Sequence, residues 1–427
     1  MTSCGRLAAL IGLLLQLGPA MASAGAVVLT ATGAEQLAEV QDVWAAQQQA
    51  RAKSLTESAL AKRQLPDPQL KMGLANFPVD SFAFDREPMT QLVVGLQQGL
   101  PKRATRRLAS ERLVSDAELA RIRAEENRLR LLRDTRLSWL DVYFQEHAFN
   151  LLNDSTALFS QLIEVATERY AAGRGNHQDI IRAQLELDLL KDRLRHQHAG
   201  VLAARAALAE WIGQEAASRP LSGPLPLLEV TLDSKLLEQS LPEHPVLRVE
   251  TQRLRSSELE IAIADQDYRP DWMLSLSYGL REGTNADGRE RPDFLSLTVG
   301  MDLPLFPTNR QDRRRQAALA QADAAVLGRQ SRLRELMAQL RVHLARHEEL
   351  VERKRLYERN LLTQAHQNVH AALHTYRSDT GDFTALIRAQ ITELDVRVKA
   401  MQVAVELEKT RTRLRYLAAQ PSLEENQ

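Results

Sequence analysis

The stretch YAAGRGNHQDIIRAQ, Tyr170–Gln184, returns 206 residues later as YRSDTGDFTALIRAQ, Tyr376–Gln390. Each copy keeps a tyrosine, a glycine five residues on and a closing Ile-Arg-Ala-Gln. Around them the chain has no proline from Lys102 to Arg219 or from Thr308 to Gln420. Both stretches are rich in Leu, Ala, Arg, Glu and Gln, which lose little freedom on entering a helix. Leu333, Met337, Leu340 and Leu344 recur at spacings of four and three, and Leu129, Leu132, Leu137 and Leu140 line the other stretch. That is the seam of helices packed side by side at shallow angles. A helix from about Lys102 to Ala171 would run on the order of 100 Å, too long for a compact globule.

The repeated phrase interrupts each stretch once. Gly173, Gly175 and Asn176 in the first copy, and Ser378, Asp379 and Gly381 in the second, are residues that supply left-handed and turn conformations. Asp179 and Asp382 are placed to face the free amides of a returning helix. The phrase therefore reads as a hairpin tip between a descending helix of about 70 residues and a returning one of about 35.

Ahead of each long helix the period changes from helical to twofold. In WMLSLSYGL, Trp272, Leu274, Leu276, Tyr278 and Leu280 alternate with Met273, Ser275, Ser277 and Gly279. LSLTVGMDL repeats the pattern, with Leu295, Leu297, Val299, Met301 and Leu303 on one side and Ser296, Thr298, Gly300 and Asp302 on the other. The first half has its own pair, LKMGL from Leu70 and LVVGL from Leu92. Runs of about nine residues suit a tilted membrane strand, although half-buried hairpins of a soluble domain alternate in the same way. No neighbouring second sheet or short amphipathic helix is expected to cover the apolar faces.

The N-terminus favours export. Arg6, an apolar run from Leu7 to Leu17 and a small-x-small site at Ala20–Ala22 are the layout of a secretory signal peptide, expected over residues 1–22. Eleven apolar residues are too few to span about 30 Å of hydrocarbon. The lone cysteine, Cys4, would leave with the signal, so the mature chain would carry no thiol for a disulfide, metal site or nucleophile. Basic and acidic residues balance at 55 each, which argues against a nucleic-acid partner. No nucleophile elbow, phosphate loop or zinc-protease helix occurs, so neither an enzyme nor a cofactor is expected.

The plan reads as a first repeat over 23–219, a linker over 220–240, a second repeat over 241–420 and a tail over 421–427. The fold class is mainly α with membrane β. Pro101 and Pro307 mark matching strand-to-helix junctions, again 206 residues apart. Four strands cannot close a membrane barrel, whose known minimum is about eight, and open edges are not tolerated in lipid. Three copies of the chain would supply twelve strands above a ring of six helical hairpins. Duplication then gives a trimer six similar tips.

This order of elements, the two tips and the stretch LPDPQLKMGLANFPVDSFAFDREPMTQLVVGLQQGLP, Leu65–Pro101, resemble outer-membrane efflux proteins of the TolC type. The last stretch is most similar to members that accompany heavy-metal pumps. The resemblance runs from about residue 35 to 418. It implies a homotrimeric duct in the outer membrane of a Gram-negative bacterium, in contact with outer-membrane lipid and extended by a periplasmic helical tunnel. Its implied partners are a periplasmic adaptor (membrane fusion) protein and an inner-membrane RND-type pump. Gly173 and Asp179 match the glycine and aspartate of the family's first tip, and Tyr376 the tyrosine of the second. In well-known members that aspartate and tyrosine belong to a network closing the tunnel mouth. Ala385 and Arg388 stand where such members carry an acidic pair. Arg182 and Arg388 can instead place guanidinium groups near the mouth within reach of Asp179, or they can be solvated residues of the helix face. Tyr170, Gly175 and Gly381 complete the expected tip. A secreted coiled-coil adaptor or scaffold without a pore is the competing reading.

His366, His370 and His374 lie at i, i+4 and i+8 on one helix face, with His177 in the other tip and His343 and His347 forming a second pair. Adjacent members have the spacing to share a metal, but the outer two lie about 12 Å apart along the axis, so the row is not one site. It reads either as a polar face wetted by the tunnel or as weak, transient stepping sites for cations.

Overall fold

The computed structural model describes residues 28–221, 223–228, 233–378 and 380–420. The expected signal peptide, Cys4, the tail and Asp379 lie outside the described residues. Two helices open the chain, α1 (Ala31–Val40) and α2 (Val43–Arg63), capped by Thr30 and Asp42, whose side-chain oxygens accept backbone N–H bonds. Strands β1 (Gln69–Ala75) and β2 (Gln91–Leu100) follow, then α3 (Arg103–Ala171) and α4 (His177–Ile212). A short α5 (Gln214–Ala217) leads to the segment joining the halves, where α6 (Ser234–Ser240) forms. The second half contains α7 (Pro245–Ala264), β3 (Trp272–Leu280), β4 (Phe294–Met301), α8 (Gln311–Leu356), α9 (Leu362–Arg377) and α10 (Phe383–Leu417).

The expected long helical hairpins form. α3 runs 69 residues and α4 returns over 36. In the second half, a π-turn at Tyr357–Leu361 joins α8 to α9 in one descending rod, and α10 returns over 35 residues. No helix among the described residues is long and apolar enough to cross a membrane. The long helices bury Leu, Ala and aromatic side chains in successive clusters along the rod: one around Trp139 and Leu208, another around Leu247, Leu336 and Leu414, and a third near the tips around Phe159, Leu386 and Ile387. The buried Glu35 of α1 ties α3 to α10, with Arg136 Nη1 at 3.5 Å and Arg415 Nη2 at 2.5 Å. A buried carboxylate needs such partners, because desolvation alone costs several kcal/mol.

The joining segment over 220–240 is pinned to this bundle. Leu29 N–H donates to the Pro220 carbonyl at 2.9 Å, and the buried Leu228 N–H donates to Glu408 Oε2 at 2.9 Å.

All four strands lie in one antiparallel sheet, in the order β1-β2-β3-β4. The two halves meet at the β2–β3 pairing, where Leu96 faces Leu276 and Leu100 faces Trp272. Register puts Leu70, Met72 and Leu74 on the same face as Leu92, Val94 and Leu96. It also aligns Leu274 with Val299, Leu276 with Leu297 and Tyr278 with Leu295. One face of the sheet is thus a continuous apolar field, broken by Gln98. The other carries mostly glycine, serine, threonine and glutamine.

Candidate functional site: an exposed apolar sheet and a pair of helical tips

The apolar field is open. Leu295, Leu297 and Val299 are 71%, 67% and 60% exposed, and Trp272, Leu274, Leu276 and Tyr278 are exposed too. In water such a patch would be a severe liability, far beyond the scattered apolar residues of an ordinary surface. The sheet is also open at both edges, since β1 and β4 each pair on one side only among the described residues. Lipid can cover the face, but it cannot satisfy the free N–H and C=O groups of the edges.

At the opposite end of the helical rods, the tips differ in how they turn. Gly173 has φ +71°, the left-handed conformation expected of it. Gly175 and Gly381 are glycines for a different reason, close approach. A Cβ on Gly175 would lie 3.0 Å from Tyr170 N, and one on Gly381 would lie 2.6 Å from Thr375 Oγ1. Asp382 caps α10 as expected, accepting from Thr384 N–H at 3.2 Å. Asp179 does not cap α4. Asn176 does, accepting from Gln178 N–H at 3.1 Å, because it sits at the position just before the first helical residue while Asp179 lies inside the first turn.

Tyr376 and Phe383, 5.4 Å apart, form a tilted ring pair in the buried core of the second tip. The positions 206 residues earlier, Tyr170 and His177, form the same pair at 5.5 Å, but Tyr170 is 49% exposed. The difference is Arg169 of the first tip, whose guanidinium lies 4.6 Å over the Tyr376 ring and whose Nη1 donates to the Tyr376 carbonyl at 3.4 Å. Arg182 reaches across to the Thr384 hydroxyl. No ion pair joins Asp179 to Arg182 or Arg388 among the described residues, and Arg388 is exposed. Arg169, Thr384 and Phe383 thus join the tips, although the repeated motif does not single them out. The only advance signal was the position of Arg169 beside Tyr170.

His366 and His370 meet on α9, whereas His374 is exposed one turn further on. His343 and His347 on α8 lie among Arg346, Arg411 and Arg413.

Residues 236–420 match the family model described as outer membrane efflux protein. The resemblance to TolC-type outer-membrane efflux proteins holds. Two curated relatives align with this chain. Protein CyaE of Bordetella pertussis is 24% identical over 295 residues, 65% of this chain and 60% of its own. The cobalt-zinc-cadmium resistance protein CzcC of Cupriavidus metallidurans is 24% identical over 266 residues, 62% and 59% of the two chains. The chain thus spans about three-fifths of the length of these relatives. Among solved structures, the Campylobacter jejuni CmeC outer membrane channel superposes with TM-score 0.76 at 12% identity, covering 91% of this chain and 85% of its own. The TolC-type fold accounts for the sheet and rods alike, and the proteins that share it are channels, not enzymes.

Proposed function

We propose that three copies of this chain form the passive exit duct of a tripartite efflux system, pooling four strands each into a twelve-stranded outer-membrane barrel above a periplasmic tunnel of six helical hairpins. The observation that carries this reading is the exposed apolar face of a four-stranded sheet with two open edges. Lipid suits the face, and the strands of sister copies suit the edges. A soluble scaffold would leave both unsatisfied.

Heavy-metal cations are the proposed cargo, supported by the likeness to the cobalt-zinc-cadmium resistance protein. An inner-membrane RND-type pump and a periplasmic adaptor engaging the tips would deliver them. Selection would rest with the pump, since a wide water-filled duct brings few groups close to a passing ion.

The 206-residue offset also extends the tip contacts to a neighbouring copy. Within the chain Arg182 meets Thr384. Applying the offset to both, Arg388 of one copy would meet Gln178 of the next, beside Asp179. At the same offset Thr375 of one copy would stand beside Tyr170 of the next, where Arg169 stands over Tyr376 within the chain.

Purification of the mature chain in detergent tests the reading. The expected result is a trimer on unboiled gels that falls to the monomer on heating, together with conductance across a planar bilayer. A monodisperse monomer that is soluble without detergent overturns it.

A further inference from the structure

The second half carries two histidine pairs at i, i+4 spacing, and the fold gives them opposite surroundings. At His343 and His347, burial and the guanidinium groups of Arg413, Arg346 and Arg411 hold both imidazoles below their ordinary value of 6.5. Arg411 Nε lies 3.5 Å from His347 Nε2. A metal cation there would face a like-charged fence.

At His366 and His370 the neighbouring guanidinium, that of Arg397, is ion-paired with the Glu393 carboxylate. Their Nε2 atoms converge to 3.0 Å, with ring centroids 4.4 Å apart and nearly perpendicular. His366 Nδ1 stands 3.0 Å from Glu393 Oε1 on α10, and that carboxylate is largely buried and anchored by Arg397 at 2.5 Å. An ionised carboxylate only accepts, so the His366 proton resides on Nδ1 and the Nε2 lone pair is turned toward His370. His370 is exposed, and a tautomer shift presents its own Nε2 lone pair. Two imidazole nitrogens bound to one ion at about 2.0–2.1 Å lie roughly 2.9–3.3 Å apart, so the pair already has the required bite.

We propose that His366 and His370 form a two-imidazole site for a borderline transition cation of the Zn²⁺, Cu²⁺ or Ni²⁺ class, with Glu393 as the carboxylate that orients the first ligand. Imidazole suits these ions, and a carboxylate on the far ring nitrogen fixes orientation and raises basicity. Both imidazoles are exposed, which leaves the remaining coordination positions open to water, while Glu393 approaches His366 from the other side, where the two line a cavity of about 260 Å³ with Asp154, Ser155 and Arg397. No group of three or more His, Cys, Asp or Glu among the described residues could enclose a metal, so the chain supplies two donors and the ion exchanges readily. His374 lies about 6 Å further along the axis than His370 and is not a ligand. The site depends neither on the pore nor on its cargo.

Titration of the full mature chain in detergent with Cu²⁺ alone, followed by electron paramagnetic resonance and calorimetry, tests the assignment. One ion per chain with a two-nitrogen signature is expected. His366→Gln and His370→Gln each weaken that site at least tenfold, and Glu393→Gln weakens it by roughly ten- to a hundredfold while keeping the two-nitrogen signature. His347→Gln and His374→Gln leave it unchanged. Equal affinity and spectrum in the His366→Gln/His370→Gln double variant, or loss of the site in His347→Gln, overturns the proposal. Unchanged affinity in Glu393→Gln overturns the orienting role. His366, His370 and His374 are exposed, Glu393 lines a groove and His347 is half-buried, and retention of the parent's unboiled gel mobility separates loss of the site from loss of the fold.

Discussion

The guanidinium of Arg169 lies 4.6 Å over the ring of Tyr376, joining the last turn of the first descending helix to the last turn of the second. It also donates to the Tyr376 carbonyl. A cation over a partly desolvated ring contributes about 0.5–2 kcal/mol, and a charged donor on a carbonyl about 1.5–3 kcal/mol. Arg169→Ala is therefore expected to loosen both tips. Amide exchange across 370–390 should rise by about tenfold, with the helical segments around Trp139 unaffected. Exchange unchanged at the tips would show that the contact does not hold them.

The sheet predicts a sharp contrast between neighbouring residues. Leu297 belongs to the apolar face, and Thr298 points to the small, polar one. On a lipid-facing position an arginine costs about 2–4 kcal/mol near the bilayer midplane, whereas a lumen-facing arginine is tolerated. Leu297→Arg should sharply reduce the heat-modifiable oligomer recovered from outer membranes, and Thr298→Arg should leave most of it. The reverse order would place the apolar face away from lipid.

These contrasts separate what the residue pattern carries from what only the packed chain reveals. Period-two alternation announced the exposed apolar face residue by residue, from Trp272 to Tyr278 and from Leu295 to Val299, because a strand fixes alternate side chains on opposite sides. The hairpins were legible in the proline-free runs and the two tips. The meeting of β2 with β3, which fuses the halves into one sheet, was not, because strand order leaves no trace in local spacing. Nor was the pairing of His366 with Glu393 or of Arg169 with Tyr376. A long helix with polar residues on several faces does not disclose its rotation about its axis. Asp179 does lie in the first turn of α4, where a carboxylate faces the free amides, but that Asn176 takes the cap itself was not legible, because only the true first residue of the helix decides it.

His244 links the start of α7 to the end of α10. Its Nδ1 accepts from Val246 N–H at 3.2 Å, and its Nε2 donates to the Tyr416 carbonyl at 2.9 Å. The bond to Nδ1 requires the neutral ring, and burial holds the imidazole below its ordinary 6.5, outweighing the Tyr416 carbonyl, which favours the charged form. The folded chain therefore binds this proton less well than the unfolded chain. Its contribution is fully present above about pH 6.5 and is lost as pH falls through the depressed folded value. His244→Ala should destabilise by roughly 2–4 kcal/mol, from the lost cap and a stranded carbonyl. His244→Asn, which keeps the cap, should recover about 1 kcal/mol and abolish this acid sensitivity. Thermal melts of the detergent-solubilised protein between pH 5 and 8 give both readings. A parallel pH dependence in His244→Asn would assign the effect elsewhere.

Glu408 should act with the opposite sign. Burial pushes its carboxyl above the ordinary 4.5, and this outweighs the bond from Leu228 N–H and the ion pair with Arg411 at 2.7 Å. With the folded value raised, the folded chain holds the proton more tightly than the unfolded chain. The stability this lends is complete below about pH 4.5 and is lost as pH rises through the folded value. At neutral pH the charged form is thus a net burden that the neighbouring groups only partly relieve. Glu408→Gln keeps an oxygen to accept from Leu228 and removes the buried charge, so it should remove the slope above pH 4.5 and leave the neutral-pH melting temperature equal to the parent's or a few degrees higher. Glu408→Leu strands the Leu228 N–H, and should lower stability by about 1–3 kcal/mol at every pH. If Glu408→Gln instead melts well below the parent at pH 7, the ion pair with Arg411 outweighs desolvation, and the carboxylate is a net support of the joint between the two halves.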